Sequence, residues 1–291
     1  MSTEPTKGEG AGSESVTFGS ESTGPQGFRW RLEGKDDLPP LTAALRVGTA
    51  ARAAVYRGAD ARGLLPLPDR FHNGSDREHA HAFWLTEDAD NDGRIDHVLL
   101  FAAAGLPRPL IPVLAESWRV ELADLGHWRL APNWMGHRVP GALFGPALLW
   151  KSATAYVTPL LRTRKVRGDQ PETLDAEAQL RWEIGMRRLG AKLADLAVTP
   201  TIMRGHAIIR ARDFSLKART LPAKNSGKAP PEYWSPPPDA ERVGAQLLFT
   251  RPVWGPLAFG FGAHFGLGLF EPTGDALVLM DQAGFEGETE A

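Results

Sequence analysis

The most constraining feature of this 291-residue sequence is a series of short segments whose hydrophobic period changes back and forth. Period-two alternation predicts strands, and apolar residues at helical spacing predict helices. In the first half the predicted order is strand, helix, strand, strand, helix, strand, over residues 28–32, 41–56, 79–85, 94–102, 110–125 and 127–132. A β-α-β-β-α-β order is that of the ferredoxin-like fold.

The second half shows the same kind of pattern less regularly. Strands are predicted at residues 148–158, 206–214 and 243–250, and a long helix at 173–196. A segment with six prolines, 217–238, is expected to form a mobile loop. We therefore predict the α+β class, with two ferredoxin-like (RRM-like) domains in tandem and a glycine-rich loop near the C-terminus.

The domain boundaries are expected where the composition changes. The first 25 residues contain too few apolar side chains to fold, and the acidic C-terminal end is expected to fray. The predicted organisation is a disordered tail (1–25), an N-terminal domain (26–145), a C-terminal domain containing the mobile loop (146–275) and an acidic tail (276–291).

The composition excludes several classes of site. The chain has no cysteine, which excludes disulfides, thiolate zinc sites and cysteine nucleophiles. No apolar run is long enough to span a bilayer, and residues 1–25 do not resemble a signal peptide. We expect a soluble, cytoplasmic protein without a membrane partner.

The formal net charge of -2 conceals an uneven distribution of charge. Residues 151–228 contain 16 Lys and Arg against 7 Asp and Glu, which leaves 17 basic and 28 acidic residues elsewhere. A basic segment in an acidic chain favours a polyanionic partner, although a solvated helix surface is the alternative. The basic set here consists of Lys151, Arg162, Arg164, Lys165 and Arg167, followed by Arg187, Arg188 and Lys192 on the predicted helix. Arg188 and Lys192 share a face of that helix. The candidate phosphate-binding residues are Arg162, Arg164, Lys165, Arg167, Arg188 and Lys192.

His79-Ala80-His81 is the strongest candidate for catalysis. Residues i and i+2 of a strand face the same side, so both imidazoles would project together. Two such groups can divide the roles of general acid and general base near neutral pH. They would take a proton from an RNA 2′-hydroxyl and give one to the leaving 5′-oxygen. Packing or hydrogen bonding on the sheet is the alternative.

The acidic segment from Asp88 to Asp96 resembles the beginning of a calcium-binding loop. It has carboxylates at the first, third, fifth and ninth positions and Gly93 at the sixth, but Leu99 stands where a bidentate carboxylate belongs. Because strands flank it, we predict an acidic β-hairpin turn and no metal site.

Residues 260–270 are rich in glycine. Gly260, Gly262, Gly266 and Gly268 lack the context of a nucleotide P-loop or a dinucleotide fingerprint. Their backbone amides can approach phosphates closely, and His264 can stack on a base. Tight packing of a strand and turn against a neighbouring element is the alternative.

Three segments in this order resemble a known family: HAHAFWLTEDADNDGRIDHVLLFA, LLWKSATAYVTP and RPVWGPLAFGFGAHFGLGLF. They are similar to segments of CRISPR repeat-processing endoribonucleases of the RAMP superfamily, subtype I-U or I-G. The resemblance extends from about Phe28 to Pro272. In that subtype the processing half is typically fused to an N-terminal backbone-capping module, whereas a polar segment precedes Phe28 here.

The resemblance implies two ferredoxin-like domains and metal-independent cleavage that leaves a 2′,3′-cyclic phosphate and a 5′-hydroxyl. It implies that His79 and His81 are catalytic and that the four glycines belong to an RNA-holding loop. Lys151 becomes the candidate that neutralises the phosphorane. The implied partners are CRISPR repeat RNA, the guide RNA and other effector-complex subunits, and no cofactor is expected.

Our leading hypothesis is therefore an endoribonuclease that cleaves CRISPR precursor transcripts into guide RNAs at His79 and His81. One alternative is a non-catalytic subunit that binds the guide RNA in an effector complex. Another is a calcium-stabilised interaction module built on Asp88 to Asp96. An enzyme for small phosphoesters would need two His-x-Thr/Ser motifs, and the sequence has none.

Overall fold

A computed structural model describes residues 24–67, 82–137, 143–159, 163–164, 172–187, 189–216, 236–237 and 239–273. These residues form two antiparallel β-sheets, two small ribbons and few helices, which agrees with the predicted α+β class. The predicted acidic tail and almost all of the predicted N-terminal tail and mobile loop lie outside the described residues.

The first sheet has five strands. Its elements in chain order are β1 (Gly27–Glu33), α1 (Ala44–Asp60), β2 (Phe83–Glu87), β3 (His97–Phe101), α2 (Ile111–Leu114), β4 (Trp118–Leu122) and β5 (Gly126–Gly136). The strand order is β2-β3-β1-β5-β4, and all neighbours are antiparallel. The helix α1 follows the central strand β1 and leads to the edge strand β2, as the predicted order requires.

The helix predicted over 110–125 is wrong for most of its length. A 3-10 turn (Arg108–Leu110) leads into the four-residue α2, and the chain then turns into β4. In β4, Val120 and Leu122 are buried, while Arg119 and Glu121, which alternate with them, are exposed. This period-two pattern, read within a helical window, outweighs helix propensity once β5 supplies a pairing partner.

The second sheet is built from the rest of the chain. Its elements and ribbons in chain order are β6 (Ala147–Ser152), β7 (Tyr156–Val157), β8 (Thr163–Arg164), β9 (Glu172–Thr173), α3 (Ala176–Met186), β10 (Leu193–Thr199), β11 (Thr201–Arg204), β12 (Ala207–Arg210), β13 (Arg242–Val253), β14 (Leu257–Ala258) and β15 (Leu269–Pro272). The sheet order is β10-β13-β6-β15-β14, with β7 also pairing β13. The order β10-β13-β6-β15 repeats the order β2-β3-β1-β5. Counted along the chain, these four strands of each sheet stand side by side in the order second, third, first and fourth.

The helix predicted over 173–196 ends ten residues early. Asp175 caps its first turn by accepting from the Ala178 amide at 2.8 Å, and the helix stops at Met186 because Arg187 is extended (φ -86°, ψ 95°). Gly190 then adopts a left-handed conformation (φ 74°) that reverses the chain into β10.

The strands predicted in the second half are found with changed bounds. The strand predicted over 148–158 divides into β6 and β7, because the amides of Ala153 and Thr154 turn to the Leu269 carbonyl (2.8 and 3.1 Å). The strand predicted over 206–214 is β12 followed by a 3-10 turn, and the one over 243–250 is part of β13.

The first sheet packs against other elements through both of its faces. One face carries Trp30 and Leu100 against α1 in the main hydrophobic core. The other face presents Leu85 and Leu99 to side chains of the second half, including Leu269. The second half therefore covers part of the sheet surface that would otherwise be open. None of the described helices is long and apolar enough to cross a membrane.

Gly48 allows α1 to contact both halves of the molecule. A Cβ atom at this position would lie 2.6 Å from the Phe265 carbonyl oxygen and 2.8 Å from that of Trp84. We predict that Gly48→Ala destabilises the protein by about 1–3 kcal/mol, because the backbone must shift to admit the methyl group. Urea unfolding monitored by circular dichroism measures this loss.

Gly185 in α3 is the matched control, since a Cβ there meets no atom within 4 Å. Gly185→Ala should leave the protein equally stable or raise its stability by up to about 1 kcal/mol through helix propensity. Equal effects of the two substitutions would contradict the close approach at Gly48.

Candidate nucleic-acid interface

Many of the predicted functional residues lie outside the described part of the chain. They are His79, His81, Arg162, Lys165, Arg167 and Arg188. For Arg164 only the backbone in β8 is described. Their roles stay predictions. The described chain resumes at Ala82, and β2 begins at Phe83, two residues after His81.

Lys151 lies in β6 as part of a chain of ionic contacts. Its Nζ is 3.3 Å from Oε1 of Glu271, which stands opposite it in the β6–β15 pair. Glu271 also contacts Arg204, whose Nη1 is 2.5 Å from the same oxygen. The Arg204 Nε in turn donates to Oδ2 of Asp88 at 2.9 Å. Lys151 is 38 % exposed, but its charge is already matched by Glu271.

Arg204 lies at the centre of this network and is almost inaccessible to water, with 2 % of its side chain exposed. Burial alone would lower its pKa, but the charges of Glu271 and Asp88 together outweigh burial and raise it. Burial raises the pKa of Asp88, and the opposing effect of Arg204 is too small to cancel it. Asp88 is paired with one buried cation, whereas Arg204 is paired with two carboxylates. The guanidinium is thus the shared counter-ion of two buried acids.

The acidic segment forms the hairpin connection between β2 and β3, as predicted, with Glu87 paired to His97. Oxygens of Asp88, Asp90 and Asp96 lie within 4.8 Å of one another, close enough to share a cation. However, the Asp88 carboxylate already accepts from the amides of Asp92 and Gly93, each at 3.0 Å, and from Arg204. We therefore assign Asp88 to the buried ion pair rather than to a metal.

The four predicted glycines all have positive φ and lie in close contact with other parts of the chain. A Cβ at Gly268 would lie 1.8 Å from the Phe259 carbonyl oxygen, and one at Gly266 would lie 2.6 Å from Oγ1 of Thr86 in β2. Gly260 and Gly262 similarly abut the Val157 carbonyl and Leu267. Packing therefore accounts for the glycines without a ligand.

The backbone amides of this loop are also largely committed. Gly260 donates to the Glu183 carboxylate at 2.8 Å, and Phe261 and Gly268 donate to the carbonyls of Val157 and Ala155. A phosphate-binding role for the loop stays a prediction. His264, on the short turn between the glycines, stacks on Phe83 with ring centroids 4.6 Å apart. His264 therefore lies against the N-terminal end of β2.

An open cavity of about 530 Å³ lies beside the C-terminal end of α3. Four of its lining residues are cationic, Arg181, Arg187, Lys192 and Arg251, and its described lining contains no acidic residue. The apolar part of the lining, here called the floor, includes Ile184, Leu189 and Leu193, which belong to or pack against the core of the second half.

Arg187 is the most firmly held of these cations. Its Nη2 donates to the Ala258 carbonyl at 3.0 Å, and its guanidinium carbon is 5.1 Å from the Phe259 ring centroid. Burial lowers its pKa, and the charge of Glu183 partly opposes this effect. Arg181 is paired at 3.0 Å with Glu177 one helical turn earlier. Arg187 therefore has a fixed position, whereas Lys192 and Arg251 are exposed to solvent.

Lys192 is not on a helix, contrary to the prediction. Because α3 ends at Met186, Lys192 precedes β10, and its amide donates to Oγ1 of Thr250 at 3.2 Å. The shared helical face with Arg188 is therefore wrong. Arg181 and Arg251 were missed as candidates, because a lone arginine on a helix or strand gives no local signal. Arg251 belongs to β13, which reaches this part of the molecule through its pairing with β10.

The comparisons with known proteins add little. Neither a protein-family model nor a curated protein sequence matches the chain. One solved structure, described as "An RAMP protein binding different RNA substrates", is similar at 13 % identity with a TM-score of 0.37, covering 84 % of this chain and 97 % of that one. A TM-score this low does not establish a common fold.

We predict that Arg204→Met destabilises the protein by about 3–5 kcal/mol, since it leaves the buried carboxylate of Asp88 without its counter-ion and Glu271 with Lys151 alone. Chemical unfolding at pH 7.5 measures the change. Arg210→Met is the matched control on the same hairpin: its pair with Asp213 is exposed and should contribute about 0–1 kcal/mol.

The deficit of Arg204→Met should shrink as the pH falls. The pKa of buried Asp88 is already raised, and losing Arg204 removes an interaction that lowers it. An acid with a raised folded-state pKa favours folding fully below its unfolded-state pKa and loses that contribution as pH rises through the folded value. Unfolding midpoints of variant and wild type should therefore converge from pH 7.5 to pH 5. A constant gap would contradict the network.

Proposed function

We propose that this chain binds RNA through the cavity at the end of α3 and cleaves it with His79 and His81. The observation that carries the binding proposal is the set of four cations around one concavity with no acidic residue in its described lining. Phosphates supply most of the affinity of nucleic-acid complexes, and such a surface can neutralise several of them.

The position of the cavity agrees with the charge distribution of the sequence. Three of the four cations, Arg181, Arg187 and Lys192, fall in the basic segment 151–228, and the adjoining Arg188 belongs to it as well. Arginine suits this role because its planar fork can bind two phosphate oxygens together. A solvated helix surface, the alternative for a basic segment, does not require a concave arrangement.

For the scaffold we propose two ferredoxin-like units in tandem. Support comes from the repeated strand order, β2-β3-β1-β5 and β10-β13-β6-β15, and from a helix that follows the first strand in each half. Each half adds an edge strand, β4 or β14. A short 3-10 turn within the glycine-rich loop stands where the second helix of the second unit would be.

The cleavage proposal is supported by the sequence motif and its resemblance to CRISPR repeat-processing endoribonucleases. His79 and His81 precede β2 by a few residues, so a short extension of that strand would place both rings on one side. One imidazole would deprotonate the 2′-hydroxyl and the other would protonate the departing 5′-oxygen, which needs no metal. We propose CRISPR repeat RNA as the substrate and retention of the guide RNA in an effector complex.

Lys151 is the residue that was predicted to neutralise the phosphorane. Through Glu271 and Arg204 it is tied to Asp88, just beyond the C-terminal end of β2, whereas the two histidines precede the N-terminal end. A five-residue strand separates these ends by about 16 Å. We therefore do not include Lys151 in the proposal as the group that neutralises the phosphorane, and the proton transfers are assigned to the two histidines.

The second candidate is a non-catalytic subunit that binds guide RNA. It is favoured by the cavity, whose four cations account for RNA binding without a catalytic group. The two candidates make the same binding prediction and differ only in cleavage.

We predict that Arg187→Ala combined with Arg251→Ala lowers the affinity for repeat RNA and reduces the slope of log K against log salt. Each lost phosphate contact should reduce that slope by about 0.7–0.9. Fluorescence anisotropy with labelled RNA between 50 and 300 mM salt measures both quantities.

Arg57→Ala is the control for this experiment, since Arg57 is exposed near the end of α1, away from the cavity lining. It should leave affinity and slope unchanged. Wild-type protein that does not bind RNA at low salt would refute the proposed function.

We predict that wild-type protein cuts repeat RNA in excess EDTA and leaves a 2′,3′-cyclic phosphate. His79→Ala and His81→Ala should each slow cleavage by about 10²–10⁴-fold, the usual contribution of one general acid or base. Denaturing gels and mass spectrometry of the products give the rate and the end groups.

A single 2′-deoxy substitution at the cut position should abolish cleavage and leave binding intact. Binding without cutting would favour the non-catalytic alternative. Cutting that survives loss of both histidines, or that requires a metal ion, would refute the mechanism.

A further inference from the structure

We propose that the cavity at the end of α3 holds one unpaired nucleotide of the bound RNA. Its base would lie on the apolar floor, and its phosphate would bind the four cations of the lining, here called the rim. This inference rests on the proposed function and adds to it. It turns a surface that attracts phosphates into a pocket that requires a base splayed out of the strand, the form in which proteins usually read RNA.

The floor supports the capture of a base. A site for the phosphate backbone alone needs only charge, but this cavity opens onto Ile184, Leu189 and Leu193. Ile184 is 4 % exposed, and Leu189 and Leu193 pack against the same core, so the floor is held in place by the sheet beneath it. A volume of about 530 Å³ is within the range of small-ligand sites, about 300–1,000 Å³.

The rim supports the capture of the attached phosphate. Arg187 is fixed by the Ala258 carbonyl and by the Phe259 ring, so little side-chain entropy is lost when an anion binds it. The α3 C-terminus carries partial negative charge and would repel a phosphate. Cations placed there can compensate for that repulsion.

Gly185 and Gly190 keep the cavity open. Both line it, and a Cβ built on either would meet no atom within 4 Å. Gly190 needs its left-handed conformation for the turn, whereas Gly185 is an ordinary helical residue, so only Gly185 can be replaced without strain. A large side chain at Gly185 would therefore fill the cavity without disturbing the fold.

Gly185→Phe gives a direct test, with Gly185→Ala as its matched control. Each protein is titrated with uridine 5′-monophosphate, uridine and inorganic phosphate by calorimetry. We expect wild type and Gly185→Ala to bind the nucleotide more tightly than either part alone. Gly185→Phe should weaken nucleotide binding about tenfold or more, the size expected for losing one base contact.

The same proteins are then tested with oligouridylate and with an abasic ribose-phosphate oligomer of equal length. Gly185→Phe should weaken oligouridylate binding about tenfold and leave the abasic oligomer within about twofold, since the phosphates remain accessible. Arg187→Lys, which keeps the charge but loses the planar fork, should weaken both oligomers. Thermal unfolding confirms that each variant is folded.

Other outcomes overturn one or both proposals. If RNA binds with strong salt dependence but Gly185→Phe binds both oligomers like wild type, base capture is wrong and RNA binding stands. If neither oligomer binds at low salt, the proposed function is wrong. Nucleotide binding without RNA binding would overturn both, because the cavity would then serve a free nucleotide.

Discussion

The buried guanidinium of Arg204 joins the two halves of the molecule. It reaches from the β11–β12 hairpin to Asp88 at the end of β2 and to Glu271 in β15. Removing three charges from water costs several kcal/mol for each ion, which is recovered only when every partner is placed correctly. The network therefore makes the hairpin, the β2–β3 connection and β15 depend on one another, and it holds Lys151 in the same arrangement.

The glycine-rich loop provides the second constraint. Phe265 and Gly266 approach the backbone of α1 and the side chain of Thr86 so closely that neither Gly48 nor Gly266 can carry a Cβ atom. Gly266 is thus needed because the two halves meet there, whereas Gly260 and Gly268 allow close approaches within the second half. The amides of the loop are mostly used within the protein. A loop built in this way is rigid, which suits it to fix the distance between neighbouring sites rather than to enclose a ligand by itself.

The sequence predicted the first sheet well because local alternation and a single core agree there. Residues 28–32 show period two, and α1 is rich in alanine and has helical spacing. The helices predicted over 110–125 and 173–196 were too long, because each predicted range included residues of a strand. These belong to β4, which pairs with the adjacent β5, and to β10, whose partner β13 is distant in sequence. The cavity could not be predicted because β13 is distant from β10 in sequence. Only the pairing of these two strands brings Arg251 to the cavity that Arg187 also lines.

The glycine-rich loop also connects the cavity with the N-terminal end of β2. Ala258 accepts from Arg187 in the cavity wall, and six residues later His264 stacks on Phe83, two residues from His81. Six residues span at most about 22 Å even when extended, and this loop is folded by its left-handed glycines. One RNA strand can cover that distance. If His79 and His81 continue β2 and cleave RNA as proposed, a nucleotide held in the cavity would fix which bond reaches them. A change in cavity depth should then move the cut as well as weaken binding.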